Sequence, residues 1–141
     1  MAHTGKLFHK RYRLQDKLSS GEMSEIYSAI DQENGELVAV KLLHDRNTSR
    51  RAEDVVRFHS LLNILSRLDI HHITKILDFG ITNDSTKQHF VVMELLPGKS
   101  LQDCLEAGRT FSIEEVIFIS IQVCQALDVV HQNQVIHGDL K

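Results

Sequence analysis

The apolar residues of this chain change period along its length, and the first change comes early. From Tyr12 to Leu43 they fall into three strand-like segments, "YRLQDKLSS", "SEIYSAI" and "ELVAVKLL". Asn34-Gly35, inside "DQENGE", is a strong hairpin signal between the second and third, because both residues tolerate positive φ. The first forty residues therefore read as an antiparallel meander. Over residues 51–68 the period becomes three and four: Val55, Phe58, Leu61, Leu62, Leu65 and Leu68 form a helical stripe. Two further strands, "ITKILDFGI" and "HFVVMELL", flank the polar loop "TNDSTKQ", and Pro97-Gly98 breaks the second of them. The resulting class is α+β.

Two helices close the chain. "SLQDCLEAG" is short and stops at Gly108. Ser112-Ile113-Glu114-Glu115 is a capping box that opens a helix running to about His131. That helix is apolar around most of its circumference, with Ile113, Val116, Ile117, Ile119, Ile121, Val123, Cys124, Leu127 and Val130, and even its more polar side holds Phe118. Such a helix belongs in the middle of a domain, covered on several sides. Ten residues follow it here, so the pattern predicts missing cover, an exposed apolar face and poor solubility.

Composition narrows the function classes. A chain of 141 residues suits one ordinary domain, and 42% hydrophobic with 25% charged residues is usual for a globular protein. A net charge of −3 excludes a basic footprint for nucleic acid. The nine histidines have no metal-type spacing with cysteine. Cys104 and Cys124 form no CxxC; Cys124, in an apolar stretch, reads as a small core residue, and a reducing cytoplasm is the simplest compartment. "MAHTGKLFHK" has no apolar signal core, and the run Val116 to Ile119 is far too short to span a bilayer.

Two segments carry chemistry. In "LSSGEMSEIYSA" a glycine within a strand–turn–strand lets backbone N–H groups approach a phosphate closely. A single glycine is weak evidence. Twenty residues after Gly21, however, Lys41 stands inside the apolar strand "VAVKLL", where an ammonium group is costly without a partner. The chain ends on "VIHGDLK", an apolar pair leading into His137-Gly138-Asp139-Leu140-Lys141.

The order of a Gly-rich turn, VAVK, a helix, "VVMELLPGKSL" and HGDLK resembles the eukaryotic-like serine/threonine protein kinase family from about Tyr12 to Lys141. The resemblance implies a protein-kinase-like fold: a five-stranded antiparallel N-lobe sheet with one helix, then the first helices of an incomplete helical C-lobe. Residues 1–11 would be a tail, 12–96 the N-lobe and hinge, and 97–141 the start of the C-lobe. It also implies ATP and Mg²⁺ as cofactors and phosphoryl transfer to protein hydroxyls. Partners would be a protein substrate or downstream signalling domains in a longer chain, with no nucleic acid and no membrane span. The family's two Mg²⁺-holding residues would lie beyond Lys141, so no metal ligand is assigned and these 141 residues alone are expected not to catalyse.

Residue by residue, the resemblance is uneven. Against G-x-G-x-x-G-x-V the chain has Ser19, Gly21, Ser24 and Ile26, so only the central glycine remains. Leu18, Ile26 and Ala39 would roof the adenine, and Lys41 would hold the α- and β-phosphates. Met93 would be the gatekeeper. The Glu94 carbonyl and Leu96 amide would bond the adenine edge, and Ser100 lies where a ribose contact often falls. Asp139 would accept or orient the substrate hydroxyl, and Lys141 would steady the γ-phosphate. Gly138 replaces an arginine that usually pairs with a phosphorylated activation loop. The helix glutamate that pairs with the strand lysine falls on Leu61; Asp54 lies two turns earlier and Glu53 points elsewhere. Asp78-Phe79-Gly80 matches the metal-binding DFG of kinases but precedes the catalytic loop, so it reads as a coincidence of strand and turn. Two other readings remain open: a small-molecule phosphotransferase with an HGD loop, and a non-catalytic kinase-like module that binds nucleotide or a partner.

Overall fold

The structure, a computed structural model, describes residues 5–44, 52–68, 71–138 and 140, without the side chains of residues 52–55 and 57. Two compact units are present: Met1–Leu68 with Thr74–Leu95, and Asp69–Ile73 with Leu96–Lys141.

The first unit is built on one antiparallel sheet. Its strands are β1 (Leu7–Phe8), β2 (Tyr12–Ser20), β3 (Ser24–Asp31), β4 (Leu37–Leu43), β5 (Ile76–Ile81) and β6 (His89–Glu94), in the spatial order β1-β2-β3-β4-β6-β5. The five strands expected from alternation are all present. The sixth, β1, is too short to show a period, and pairs Leu7 with Arg13 and Phe8 with Tyr12. The β3–β4 hairpin forms, though not as a two-residue turn. Only Gly35 takes positive φ, at 76°. Asn34 instead accepts from the Glu36 N–H through Oδ1 at 3.0 Å, and the connection is closed by Asp31 N to Glu36 O at 2.9 Å.

One face of the sheet is the core. Tyr12, Leu14, Tyr27, Val38, Val40, Leu42, Phe90 and Val92 are at most 2% exposed. Each such side chain stabilises the fold by roughly 1.5–3 kcal/mol through removal from water. The sheet curls until its two ends meet. Phe8 of β1 packs edge-to-face on Phe90 of β6 with ring centroids 5.2 Å apart, and Tyr12 of β2 reaches Asp78 of β5. Gly80 lets the Phe90 ring lie close, since a Cβ there would stand 3.2 Å from two ring atoms and the ring would have to yield by a few tenths of an ångström.

Helix α1 (Ala52–Leu65) belongs to the same unit and touches β5. Leu62 is its buried residue among those described, whereas Leu61 is only half-buried. His59, on the same helix, forms a 3.1 Å hydrogen bond between its Nε2 and Nδ1 of the buried His89.

The second unit holds α2 (Leu101–Glu106) and α3 (Ile113–Gln132). Both begin with complete capping boxes, Ser100 with Asp103 and Ser112 with Glu115. α2 ends at Gly108, whose φ of 81° lets Arg109 N donate to Cys104 O. On α3 only Ala126 and Val130 are buried, while Ile113, Val116, Ile117, Phe118, Ile121 and Val123 are exposed. Cys124, expected in a core, is exposed, because it lies on a helix that the described residues leave largely uncovered. Among the described residues no helix is long and apolar enough to cross a membrane.

Candidate functional site

Register places the candidate residues of the first unit. Directly paired residues of adjacent strands share a face. Ile26 pairs with Lys41, Lys41 with Val91, and Val91 with Phe79. The next row is Ser28, Ala39, Met93 and Ile76. Ile26, Ala39, Lys41 and Met93 therefore stand together on the face opposite the aromatic core. Ala39 is 6% exposed, and its small side chain leaves a shallow apolar surface between Ile26 and Met93.

Lys41 is half-buried in this surface, between Ile26 and Val91. Among the described residues no carboxylate pairs with it. Leu61 brings no charge, and the Asp54 and Glu53 side chains lie outside the described residues. A half-buried ammonium among apolar neighbours suits an anion such as a phosphate, which would restore the interactions lost to desolvation. Clusters of three or more His, Cys, Asp or Glu with metal-holding geometry are absent among the described residues.

The turn between β2 and β3 stands at the edge of this surface. Gly21 N donates to Ser24 O at 2.9 Å, and Ser19, Ser20 and Gly21 are exposed. The φ of Gly21 is not positive, and a Cβ there would meet only Ser24 O at 3.7 Å. The turn itself therefore does not require glycine. Leu18 is 50% exposed, available to cover a ligand.

At the other end, Glu94 N donates to Lys75 O at 3.0 Å while its carboxylate accepts from Lys75 N at 2.7 Å. This double bond to one residue ties the end of β6 to the segment entering β5. Leu96 is 56% exposed and begins the second unit. Ser100 is the N-cap of α2: its Oγ accepts from Asp103 N at 3.0 Å and lies 2.6 Å from Asp103 Oδ2. That hydroxyl already has a complete structural use. Asp139 and Lys141 lie outside the described residues.

Asp78 is not poised for a metal. It is inside β5, where its Oδ2 accepts from the Tyr12 hydroxyl at 2.6 Å and its Oδ1 from Phe79 N at 2.8 Å. A cavity of about 580 Å³ opens among Phe8, His9, Leu42, Thr82, Asp84 and Gln88. It holds none of the candidate residues, and its Leu42 wall belongs to the core face. The His59–His89 pair was not foreseen. Two isolated histidines thirty residues apart carry no periodic signal, and only the docking of α1 brings them together.

A family model for the protein kinase domain matches residues 12–141. The chain belongs to the protein kinase domain family. It is similar to a probable serine/threonine-protein kinase of Clostridium perfringens, with 32% identity over 97% of this chain and 19% of the relative. It is also similar to the probable serine/threonine-protein kinase PknB of Corynebacterium glutamicum, with 33% identity over 93% of this chain and 20% of the relative. The chain thus spans about a fifth of the curated relatives it matches. Among solved structures, the Mycobacterium tuberculosis PknI kinase domain superposes with a TM-score of 0.85 at 23% identity, covering 100% of this chain and 57% of that one. Rad53 residues 1–466, solved in complex with AMP-PNP, gives 0.76 at 25% identity over 94% of this chain and 33% of that one. The fold is the protein-kinase fold, with the N-lobe sheet and its helix followed by the first C-lobe helices.

Proposed function

We propose that this chain is the nucleotide-holding part of a serine/threonine protein kinase. The observation that carries the reading is the row Ile26–Lys41–Val91 beside Ala39 and Met93: a cation without a carboxylate partner among the described residues, set in an apolar sheet face that ends at a small-residue turn. ATP would supply the transferable γ-phosphoryl group, with Mg²⁺ balancing its charge. Leu18, Ile26, Ala39 and Met93 would enclose the adenine, and the backbone of Glu94 and Leu96 would give it its hydrogen bonds. Ser19, Gly21 and Lys41 would orient the phosphates, and Ser100 would stand near the ribose. Asp139 would hold the substrate hydroxyl for attack, and Lys141 would steady the γ-phosphate. Protein Ser/Thr hydroxyls are the proposed acceptors, in keeping with the names of the relatives. The reaction itself is proposed of a longer chain that also contains the metal-holding residues, with downstream signalling domains as partners and the cytoplasm as location.

A second reading is favoured by the resemblance, which counts Leu61 at the helix position whose carboxylate would pair with Lys41; this supports a kinase-like module that binds nucleotide without transferring phosphate. ATP titration of a longer chain that also contains the metal-holding residues, followed by phosphorylation of a generic basic protein, separates the two. Binding with transfer supports the kinase, binding without transfer supports the module, and no binding rejects both.

A further inference from the structure

Behind the β2–β3 turn, on the face away from Lys41, three side chains form a tie across the hairpin. Lys17 Nζ lies 2.6 Å from Glu25 Oε1, and the Tyr27 hydroxyl donates to Glu25 Oε2 at 2.8 Å. The Lys17 ammonium also sits 5.6 Å from the centre of the Tyr27 ring. Both Glu25 oxygens are thus engaged. Lys17 first, and Tyr27 second, hold that carboxyl below the usual carboxylate range. Tyr27 is 1% exposed, so one end of the tie is anchored in the core.

The tie sits where the ladder is irregular. Lys17 pairs with Tyr27, but Ser19 pairs with Ile26, so two steps on β2 answer one on β3 and Leu18 is the extra residue. A bulge of this kind leaves one residue unpaired and twists the strand. An earlier register shift between Leu14 and Lys17 puts Lys17 on the Tyr27 face, and the bulge at Leu18 then turns Ser19 to the Ile26 and Lys41 face. Beyond the bulge the strands are joined only through Ser19, Ser20 and the short Gly21–Ser24 bond. With one glycine, the turn has less backbone freedom than one with three.

We propose that Lys17 and Glu25 are positioning residues that hold the 19–24 turn at a fixed height over the phosphate surface beside Lys41. This rests on the nucleotide-binding reading above. Neither residue has to touch the nucleotide. They act through the bulge, by fixing where the Ser20–Ser24 amides stand.

The test is an ATP titration of the chain, read from the amide NMR shifts of Ser20–Ser24, for the wild type, Glu25→Gln, Lys17→Met and the charge-swapped pair Lys17→Glu with Glu25→Lys. The fast backbone mobility of the turn is measured without nucleotide, together with the melting temperature. Each single variant is expected to weaken ATP binding about two- to fivefold, the range of a partly exposed ion pair, and to raise turn mobility. Its melting temperature should fall by only a few degrees, and the swapped pair should recover both properties. Should a single variant not fold, Lys17→Arg keeps the pair and is expected to keep the affinity. Unchanged affinity and mobility in folded single variants would overturn the inference and leave the ATP reading intact. A lower melting temperature with unchanged affinity would show a merely structural tie, and also overturns it. If the wild type shows no ATP-dependent shift at all, the nucleotide reading fails, and the positioning role with it.

Discussion

Tyr12 and Asp78 are sixty-six residues apart in sequence, and three strands separate theirs in the sheet, yet the Tyr12 hydroxyl donates to Asp78 Oδ2 at 2.6 Å. A bulge makes the bond possible. Ile76 pairs with Met93 but Asp78 pairs with Val92, so Leu77 is extra and Asp78 turns to the core face. Burial and this bond together push the Tyr12 hydroxyl well above the usual tyrosine range. Tyr12→Phe should therefore lower stability by about 1–3 kcal/mol, the cost of leaving a charged acceptor without its donor. Denaturant unfolding of the single variants and of Tyr12→Phe with Asp78→Ala checks this. The double variant should lose less than the sum of the singles.

Arg11 and Asp31 close the same end of the sheet through two bonds, Nε to Oδ1 at 2.9 Å and Nη2 to Oδ2 at 2.7 Å. Asp31 is 3% exposed and also accepts from Glu33 N. The Arg11 guanidinium holds its carboxyl below the ordinary range. Its contribution is thus present above the unfolded value near pH 4 and is lost as the pH falls through the lower folded value. Asp31→Asn is expected to destabilise by about 2 kcal/mol at neutral pH and to flatten the loss of stability in acid, as measured by urea midpoints between roughly pH 2 and 5.

Burial first, and the neighbouring His89 second, push the His59 imidazole below its ordinary value. The unfolded chain takes up a proton near pH 6.5 while folded His59 resists it. Stability from this group is present above that pH and lost as the pH falls through the depressed folded value. Since the two facing nitrogens can share only one proton, doubly charged rings would also lose the 3.1 Å bond. His59→Gln should therefore show a shallower fall in melting temperature than the wild type between about pH 6.5 and 5.

Lys41 is only half-buried and lacks an ion-pair partner among the described residues. Lys41→Met is expected to leave the melting temperature nearly unchanged while removing most ATP affinity. Leu61→Glu tests the other half of the pair. In a chain that also contains the metal-holding residues, it should raise phosphoryl transfer if the lysine lacks only its helix partner. Equal activity with Leu and Glu would show that Lys41 is oriented by other means.

The exposed Ile113, Val116, Ile117, Phe118 and Ile121 of α3 make an apolar stripe. These 141 residues should bind a hydrophobic dye strongly and associate with rising concentration. Phe118→Ser with Ile117→Ser should reduce both. Assayed alone with Mg²⁺-ATP and a protein acceptor, the same residues are expected to transfer no phosphate.

The succession of five strands and the helices along the chain, both helix starts near Ser100 and Ser112, and the glycine stop at Gly108 follow from local preference and periodicity, so they could be read residue by residue. The VAVK strand and the residues around Met93 were legible as short apolar runs bounded by turn signals. What the chain alone left open is which face each side chain takes. Period two makes a one-residue slip reverse every side chain after it, and three register shifts, between Leu14 and Lys17, at Leu18 and at Leu77, make such slips. Only the paired ladders show that Lys17 faces Tyr27, that Asp78 faces Tyr12, and that Phe79 lies with Val91 on the Lys41 face. The two-residue β1, the burial of Leu62 ahead of Leu61, and the meeting of His59 with His89 depend on the curl of the sheet and the docking of α1. Those are contacts between distant segments, and no local pattern encodes them.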